Sequence, residues 1–284
     1  MTVATASREK ASREIWTVNC SILLTQHPLL ERPAIAAGAG FGAVEFWWPF
    51  AGAVPGDAEL DRFVNAIRDA GVQLTGLNTY AGDMPAGDRG LVSWPSRESE
   101  FRDNVEAVAG IGEALGCRMF NALYGNRLDA VRPEQQDELA VENLAFAAET
   151  FSRIGGTVLI EPISGIAAYP LRTAAAVLGV IARVRAETGR DELRLLADLY
   201  HLAVNGDDVA AAIEVHAGEF GHIQIADSPG RGAPGTGDLP LRDWLARSRA
   251  LGYRGRVGLE YAHPSADAFG WLDELDDVWE GRDE

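Results

Sequence analysis

The chain has 284 residues, of which 47% are hydrophobic, and its formal net charge is −17 at pH 7. This charge argues against nucleic acid and against an anionic membrane surface as partners, because binding to phosphate groups requires a basic surface. The two cysteines do not indicate a disulfide framework in a chain of this length. The polar N-terminus lacks the apolar segment of a secretory signal, and no apolar run approaches the roughly 18 residues of a membrane span, so we expect a cytoplasmic protein.

Eight short apolar or β-branched segments alternate with eight longer amphipathic segments along the chain. We predict strands at Trp16–Leu23, Gly42–Phe46, Val72–Asn78, Arg118–Leu123, Thr157–Glu161, Leu193–Leu199, His222–Ala226 and Val257–Tyr261. We predict helices at Pro28–Ala39, Asp57–Ala70, Arg97–Leu115, Pro133–Ile154, Leu171–Thr188, Asp207–Gly218, Leu239–Leu251 and Asp267–Trp279. Strict alternation is typical of a parallel sheet with crossover helices, and eight pairs favour a closed (β/α)8 TIM barrel over an open sheet. We therefore expect a single-domain α/β TIM barrel over residues 15–284, preceded by a disordered segment at residues 1–14.

The last four predicted strands each end in a side chain that carries an oxygen atom: Glu161, Asp198, Gln224 and Glu260. Catalytic residues of TIM barrels lie at this end of the strands. Side chains two apart share a face, and the face covered by helices must be apolar, so the polar residues should point into the barrel. Carboxylates that converge there repel one another unless a cation bridges them, and an all-oxygen set suits one Mg²⁺ or Mn²⁺ ion. Any one of these acids could instead cap a helix or pair with an arginine. It is therefore the four residues together, and not any single one, that indicate a metal site.

Several segments match a known family in their order and spacing. They are Asn19–Thr25, Gly42–Phe46, Leu77–Asp83, Ile160–Pro162, Asp198–His201, His222–Asp227, Arg231 with Pro234–Gly237, and Gly258–Tyr261. Together they resemble the hydroxypyruvate isomerase family, within the wider xylose isomerase-like TIM barrels.

This resemblance implies that Glu161 and Glu260 are the acid and base and also metal ligands, and that Asp198 and Gln224 complete the ligand set. It implies a metal-assisted aldose-ketose type isomerase that interconverts a small hydroxy-ketone and a hydroxy-aldehyde, such as hydroxypyruvate and tartronate semialdehyde. Proton transfer through an enediolate would carry the reaction. The partner implied is a small hydroxy-carbonyl substrate.

Residue choice at several positions bears on the substrate. Gln224 favours the hydroxypyruvate isomerase type, because the related ketose 3-epimerases usually place histidine at this ligand position. Family members often carry lysine where this chain has Ala262, and a histidine and a glutamate in the loop after the seventh strand, where it has Arg231–Pro234. These departures weaken the expected recognition of a carboxylate, so a ketose 3-epimerase or another sugar isomerase of the same superfamily is the alternative.

Four further residues are candidates for contact with the substrate. His201 is expected to contact substrate oxygens near the metal, the alternative being a hydrogen bond to a loop carbonyl. Arg231 is the candidate for holding an anionic group. Glu45 closes the second strand and would bind a substrate hydroxyl or orient His201, unless it pairs with an arginine. Trp47 and its neighbour Trp48 are expected to wall the pocket.

Two other classes of protein fit the sequence less well. A DNA phosphodiesterase of the endonuclease IV type needs several metals and many histidine ligands, whereas this chain has five histidines and a charge of −17. A non-catalytic sugar-binding barrel predicts the loss of one of the paired glutamates, and both are present. A homo-oligomer is an expectation by analogy with other barrels.

Overall fold

The structure is a computed structural model that describes residues 13–262 and 268–274. Eight parallel strands close into a barrel in sequence order, and the first strand pairs with the last. The strands are β1 Trp16–Asn19, β2 Ala43–Phe46, β3 Gln73–Asn78, β4 Met119–Asn121, β5 Thr157–Ile160, β6 Leu193–Asp198, β7 Phe220–Ile225 and β8 Val257–Leu259. This arrangement confirms the predicted (β/α)8 TIM barrel.

Helices connect the strands and cover the outside of the barrel. The α-helices are α1 Arg32–Gly38, α2 Asp57–Ala70, α3 Glu98–Leu115, α4 Pro133–Ser152, α5 Ala174–Thr188, α6 Leu199–Val204, α7 Val209–His216 and α8 Leu241–Ala250. Short 3₁₀ helices lie at Leu29–Glu31, Pro95–Arg97, Ala217–Glu219 and Gly270–Glu274. Within the described residues, no helix combines the length and the apolar character needed to cross a lipid bilayer.

Several element boundaries differ from the sequence prediction. Strand β1 ends at Asn19 and not at Leu23, because the Asn19 carbonyl accepts a hydrogen bond from the Leu23 amide at 2.9 Å and the chain turns. Helix α5 begins at Ala174, where the Thr173 hydroxyl accepts from the Ala176 amide and caps the helix. The short helix α6 was not predicted.

Two predicted segments lie largely outside the described residues. The disordered segment predicted at residues 1–14 is described only at Arg13 and Glu14. The helix predicted at Asp267–Trp279 is described only over residues 268–274, where the 3₁₀ helix Gly270–Glu274 lies.

The core lies between the barrel and its helices, where close packing depends on small residues. Phe120 of β4 stacks on Phe151 of α4 with ring centroids 4.2 Å apart. Gly112 of α3 faces this pair, and a Cβ at that position would lie 2.5 Å from the Phe120 ring atom Cζ. Gly110, two residues earlier, is exposed and has no atom within 4 Å of such a Cβ.

Replacing each of these two glycines of α3 with alanine should change the free energy of unfolding in opposite directions. Gly110→Ala should raise the free energy of unfolding by about 0.5–1 kcal/mol, because alanine is the better helix former and meets no neighbour. Gly112→Ala should lower it by about 1–2 kcal/mol, because the added methyl overpacks the core against Phe120. Urea denaturation of both variants measures the difference, and a stabilising Gly112→Ala would contradict this packing.

Candidate active site

The four predicted ligands meet at one end of the barrel. Asp198 is the last residue of β6, Gln224 lies in β7, and their Cα positions pair in the sheet. Glu161 and Glu260 directly follow β5 and β8. All four side chains are buried, with at most 4% of their surface exposed. The strand-end pattern of the sequence therefore corresponds to a real cluster in space.

Three of these side chains carry a buried oxygen without a hydrogen-bond partner among the described residues. The atoms are Asp198 Oδ2, Gln224 Oε1 and Glu260 Oε2, and they come from three neighbouring strand ends. Leaving a buried acceptor unsatisfied costs about 1–3 kcal/mol, so three together are unusual unless another group completes them. Hard oxygen donors of this kind fit a divalent ion such as Mg²⁺ or Mn²⁺.

Glu161 is held beside the cluster with a raised pKa. Its Oε2 accepts a hydrogen bond from Asn121 Nδ2 at 2.7 Å. Burial, and then the negative charge of Asp198, raise the pKa of Glu161 to about 8, although Asn121 and Arg231 oppose this shift. Glu161 is therefore protonated over a much wider pH range than an exposed glutamate.

Glu260 shares this environment on the other side of the site. Burial raises the pKa of Glu260 well above its ordinary value, and the charges of Glu161 and Asp198 raise it further, against the opposing charge of Arg231. Its Oε1 accepts hydrogen bonds from Trp47 Nε1 at 2.8 Å and from Arg231 Nη2 at 3.0 Å. These two donors fix the carboxyl group and leave Oε2 free.

His201 is brought next to two of the predicted ligands. His201, Glu161 and Asp198 each offer one atom within 4.8 Å of the others, a grouping that could hold a metal ion. The Ser164 amide donates to His201 Nδ1 at 3.1 Å, which assigns the imidazole proton to Nε2. Nε2 lies 3.7 Å from Asp198 Oδ2 and 3.9 Å from Glu161 Oε1. A protonated Nε2 is a hydrogen-bond donor, which favours contact with a substrate oxygen over metal coordination.

The imidazole of His201 also stays neutral. Burial lowers the pKa of His201 to about 4; the charge of Asp198 opposes the shift, and those of Arg231 and Arg89 add to it. At neutral pH the ring therefore donates through Nε2 without a positive charge.

Glu45 lies beneath the cluster, in contact with the predicted ligand Gln224. We expected it to bind a substrate hydroxyl or to orient His201. In the structure its Oε1 accepts from Gln224 Nε2 at 2.7 Å and from Asn19 Nδ2 at 3.2 Å, and its Oε2 lies 2.7 Å from His222 Nε2. The amide nitrogen of Gln224 donates to Glu45, and the amide oxygen of Gln224 has no hydrogen-bond partner among the described residues.

Arg231 reaches back from the loop after β7 to the carboxylates. Besides its bond to Glu260 Oε1, its Nε donates to the Glu260 carbonyl at 3.2 Å, and its Nη2 lies 3.8 Å from Asp198 Oδ2. The guanidinium also stacks over the Tyr200 ring at 5.6 Å. The loop is held by Asp227, whose carboxylate accepts from three backbone amides and which the sequence analysis had not singled out.

One cavity of about 530 Å³ joins most of these side chains. It is lined by both catalytic candidates, Glu161 and Glu260, and by three of the predicted substrate contacts, His201, Arg231 and Trp47. An adjoining cavity of about 410 Å³ shares four lining residues with the first: Trp47, Asn78, Met84 and Pro85. The predicted pocket wall Trp48 lines this second cavity.

Further cavity residues were not singled out from the sequence. Asn78 is the last residue of β3, so the strand-end rule was the signal that could have found it. Ser164 lies three residues after Glu161 and Arg89 lies in the loop after β3, where no local motif marks them.

The raised pKa of Glu161 predicts a pH-dependent gain in stability for Glu161→Gln. The fold favours the protonated acid, a contribution that is fully present below pH about 4.5 and is lost as pH rises toward about 8. Glutamine does not ionise, so the variant keeps its unfolding free energy as the pH rises. In EDTA, the variant should therefore exceed the wild type by about 1–3 kcal/mol in unfolding free energy at pH 8.5 and by much less at pH 5. Urea titrations measure this, with the exposed Glu142→Gln as control; an equal gain at both pH values would contradict the shift.

Comparison with known proteins identifies the family of the chain. Residues 33–279 match the family model of the xylose isomerase-like TIM barrel. A Streptomyces coelicolor relative, provisionally named a hydroxypyruvate isomerase, is 52% identical over 264 residues, covering 90% of this chain and 95% of the relative. The hydroxypyruvate isomerase of Escherichia coli is 32% identical over 262 residues, covering 91% and 98%. A 2-oxo-tetronate isomerase of Cupriavidus necator is 33% identical over 262 residues, covering 90% and 96%.

A solved structure has the same architecture. A Brucella melitensis protein described as an AP endonuclease of family 2 superposes with a TM-score of 0.82 at 31% identity, covering 93% of this chain and all of that one. The sequence matches confirm the predicted resemblance and the expectation of an enzyme that isomerises its substrate. The chain belongs to the hydroxypyruvate isomerase family of xylose isomerase-like TIM barrels, and it is an isomerase.

Proposed function

We propose that this isomerase moves the carbonyl group of a small hydroxylated 2-oxo acid to the adjacent hydroxyl-bearing carbon, as between hydroxypyruvate and its hydroxy-aldehyde isomer, with the help of one divalent metal ion. Hydroxypyruvate and 2-oxo-tetronates, which appear in the names of its relatives, are the model substrates. The observation that carries the proposal is the pair of buried carboxyls, Glu161 and Glu260, with raised pKa values in one cavity. Such a pair suits proton removal and return near neutral pH.

The proposed reaction moves one carbon-bound proton to the adjacent carbon. One glutamate removes a proton from the hydroxyl-bearing carbon, which gives an enediolate, and the other glutamate returns a proton to the former carbonyl carbon. The hydroxyl proton passes to the former carbonyl oxygen, so the product has the same composition as the substrate. Because burial and mutual repulsion raise both pKa values, the pair can hold one proton and one charge, as an acid and a base require.

The proposed ligands of the metal are Glu161, Asp198, Gln224 and Glu260, three of which carry the unpartnered buried oxygens. When bound, a divalent ion supplies electrostatic stabilisation of negative charge on substrate oxygens. Glu45 holds Gln224 with its carbonyl oxygen available. In this proposal His201 donates its Nε2 proton to a substrate oxygen, and Trp47 and Arg231 hold the Glu260 carboxyl in place.

Removal of one acid/base group tests the reaction. Glu260→Gln keeps the size of the side chain and should lower kcat on hydroxypyruvate or a 2-oxo-tetronate at least about 100-fold, because a positioned acid or base contributes about 10²–10⁴-fold. Product formation is followed by chromatography, with the exposed Glu138→Gln as the control expected to retain full activity. Full activity of Glu260→Gln on every accepted substrate would rule out the two-carboxyl reaction. Turnover of neutral ketoses alone by the wild type would favour the 3-epimerase alternative.

Loss of a single ligand oxygen tests the metal site without relying on turnover. Gln224→Met has a similar volume but no carbonyl oxygen, so Mn²⁺ affinity should fall at least about tenfold. Titration of Mn²⁺ followed by electron paramagnetic resonance measures the affinity of the wild type and of the variant. The exposed Gln135→Met serves as the control and should bind as the wild type does. Equal affinities in all three proteins would remove Gln224 from the ligand set.

A further inference from the structure

Two guanidinium groups, those of Arg231 and Arg89, line the 530 Å³ cavity, and they differ in their partners. Arg231 is committed to the protein's own carboxylates: it donates to Glu260 Oε1 at 3.0 Å and lies 3.8 Å from Asp198 Oδ2. Its positive charge is therefore already matched inside the site.

Arg89 has no acidic partner among the described residues. Its Nη1 donates to two backbone carbonyls, those of Met84 at 3.0 Å and Asp88 at 2.6 Å. A guanidinium has five N–H donors, so the Nε and Nη2 donors of Arg89 are left for another acceptor. A half-buried cation with free donors and no counter-charge, set in a cavity wall, is a ready partner for a carboxylate or phosphate.

The loop that carries Arg89 is held firmly in place. The Arg89 carbonyl accepts from the Gly125 amide at 2.9 Å, and the Gly90 amide donates to the Ala81 carbonyl at 2.9 Å. Gly90 has a φ of 102°, and a Cβ at this position would overlap the carbonyl oxygen of Leu123, so only glycine allows this close approach. Positioning by two backbone hydrogen bonds is the support that a binding group needs for selectivity.

The charge of the site favours such a cation for an anionic substrate, in addition to the proposed metal ion. Glu161, Asp198 and Glu260 lie together, and the whole chain carries a charge of −17, so an acid that approaches the cavity meets repulsion. Arg231 offsets part of this charge and is already engaged. Arg89 lines the same cavity as His201, Glu161 and Glu260, so its charge lies in a wall of the proposed reaction centre.

We propose that Arg89 is the specificity-determining residue that binds the substrate carboxylate and selects 2-oxo acids over neutral ketoses. This inference rests on the proposed function. It provides a contact for the substrate carboxylate in a chain that lacks the residues that family members often carry at Ala262 and in the loop of Gly232. Because a carboxylate lies next to the carbonyl in a 2-oxo acid, Arg89 would hold one end of the substrate while Glu161 and Glu260 act on the adjacent carbons.

The test compares two ligands that differ in one group. Pyruvate and hydroxyacetone share the methyl ketone, and hydroxyacetone replaces the carboxylate with a neutral hydroxymethyl group. Binding to the Mg²⁺-loaded full-length protein is measured by quenching of tryptophan fluorescence, since Trp47 lines the cavity. Arg89→Gln should raise the Kd for pyruvate about 10- to 100-fold and leave the Kd for hydroxyacetone within about twofold, because a charge-assisted hydrogen bond is lost. Arg89→Lys should recover part of the pyruvate affinity.

A control at a residue that contacts this loop separates binding from loop structure. Arg97 contacts Asp88 at 3.3 Å but does not line the cavity, so Arg97→Gln loosens the loop without removing the cavity charge. It should leave the ratio of the two Kd values unchanged. The inference is overturned if Arg89→Gln weakens both ligands equally or neither, if Arg97→Gln reproduces its effect, or if the wild type binds both ligands equally.

Turnover distinguishes this inference from the proposed function. If the inference holds, Arg89→Gln raises KM for hydroxypyruvate more than it lowers kcat, because the lost contact is made equally in the ground state and the transition state. A wild type that binds pyruvate through Arg89 but turns over no 2-oxo acid would refute the function and leave the binding role intact. A wild type that turns over 2-oxo acids while Arg89→Gln keeps the same KM would refute only the role of Arg89.

Discussion

The site depends on one constraint, which is the burial of several oxygen atoms that repel one another. Glu161, Asp198 and Glu260 lie together at one end of the barrel with almost no exposed surface. Burial and mutual repulsion raise the pKa of the two glutamates, and Arg231 offsets only part of the negative charge. An arrangement that costs stability in this way is typical of a functional site, where groups are held ready for a ligand and for proton transfer.

The residues beneath the cluster show how the barrel supports this arrangement. Glu45 of β2 accepts a hydrogen bond from Asn19 of β1 and also bonds to Gln224 and His222 of β7, so three strands are linked below the proposed ligands. Gly258 makes room for the network, because a Cβ there would lie 2.6 Å from Glu45 Oε1 and 3.0 Å from His222 Nε2. The glycine in β8 is therefore explained by packing around the site.

In the proposed enzyme, the loops above the cluster supply the charges that distinguish one substrate from another. Asp227 fixes the loop of Arg231 through three backbone amides, and the loop of Arg89 is held by hydrogen bonds to neighbouring backbone. The two arginines thus have different tasks in the proposed enzyme: Arg231 balances the protein's own acids, and Arg89 faces the substrate. A barrel that varies its loops can in this way change specificity while it retains its strand-end chemistry.

Much of the molecule follows from the sequence alone. Alternating segments predicted the eight-stranded barrel, and the strand-end positions of Glu161, Asp198, Gln224 and Glu260 predicted a cluster, because parallel strands in a closed barrel bring these ends together. The order of the motifs predicted the family.

The contacts of the polar side chains were decided only by the tertiary structure. The sequence left open whether Glu45 meets the substrate, His201 or an arginine, and it gave no sign that Arg89 enters the cavity. Partners such as Glu45 and Gln224 are 179 residues apart in the chain, and their meeting depends on how side chains pack across the closed barrel. Local periodicity sets the face on which a side chain lies, but the neighbour that it binds there is set by the packing of distant elements.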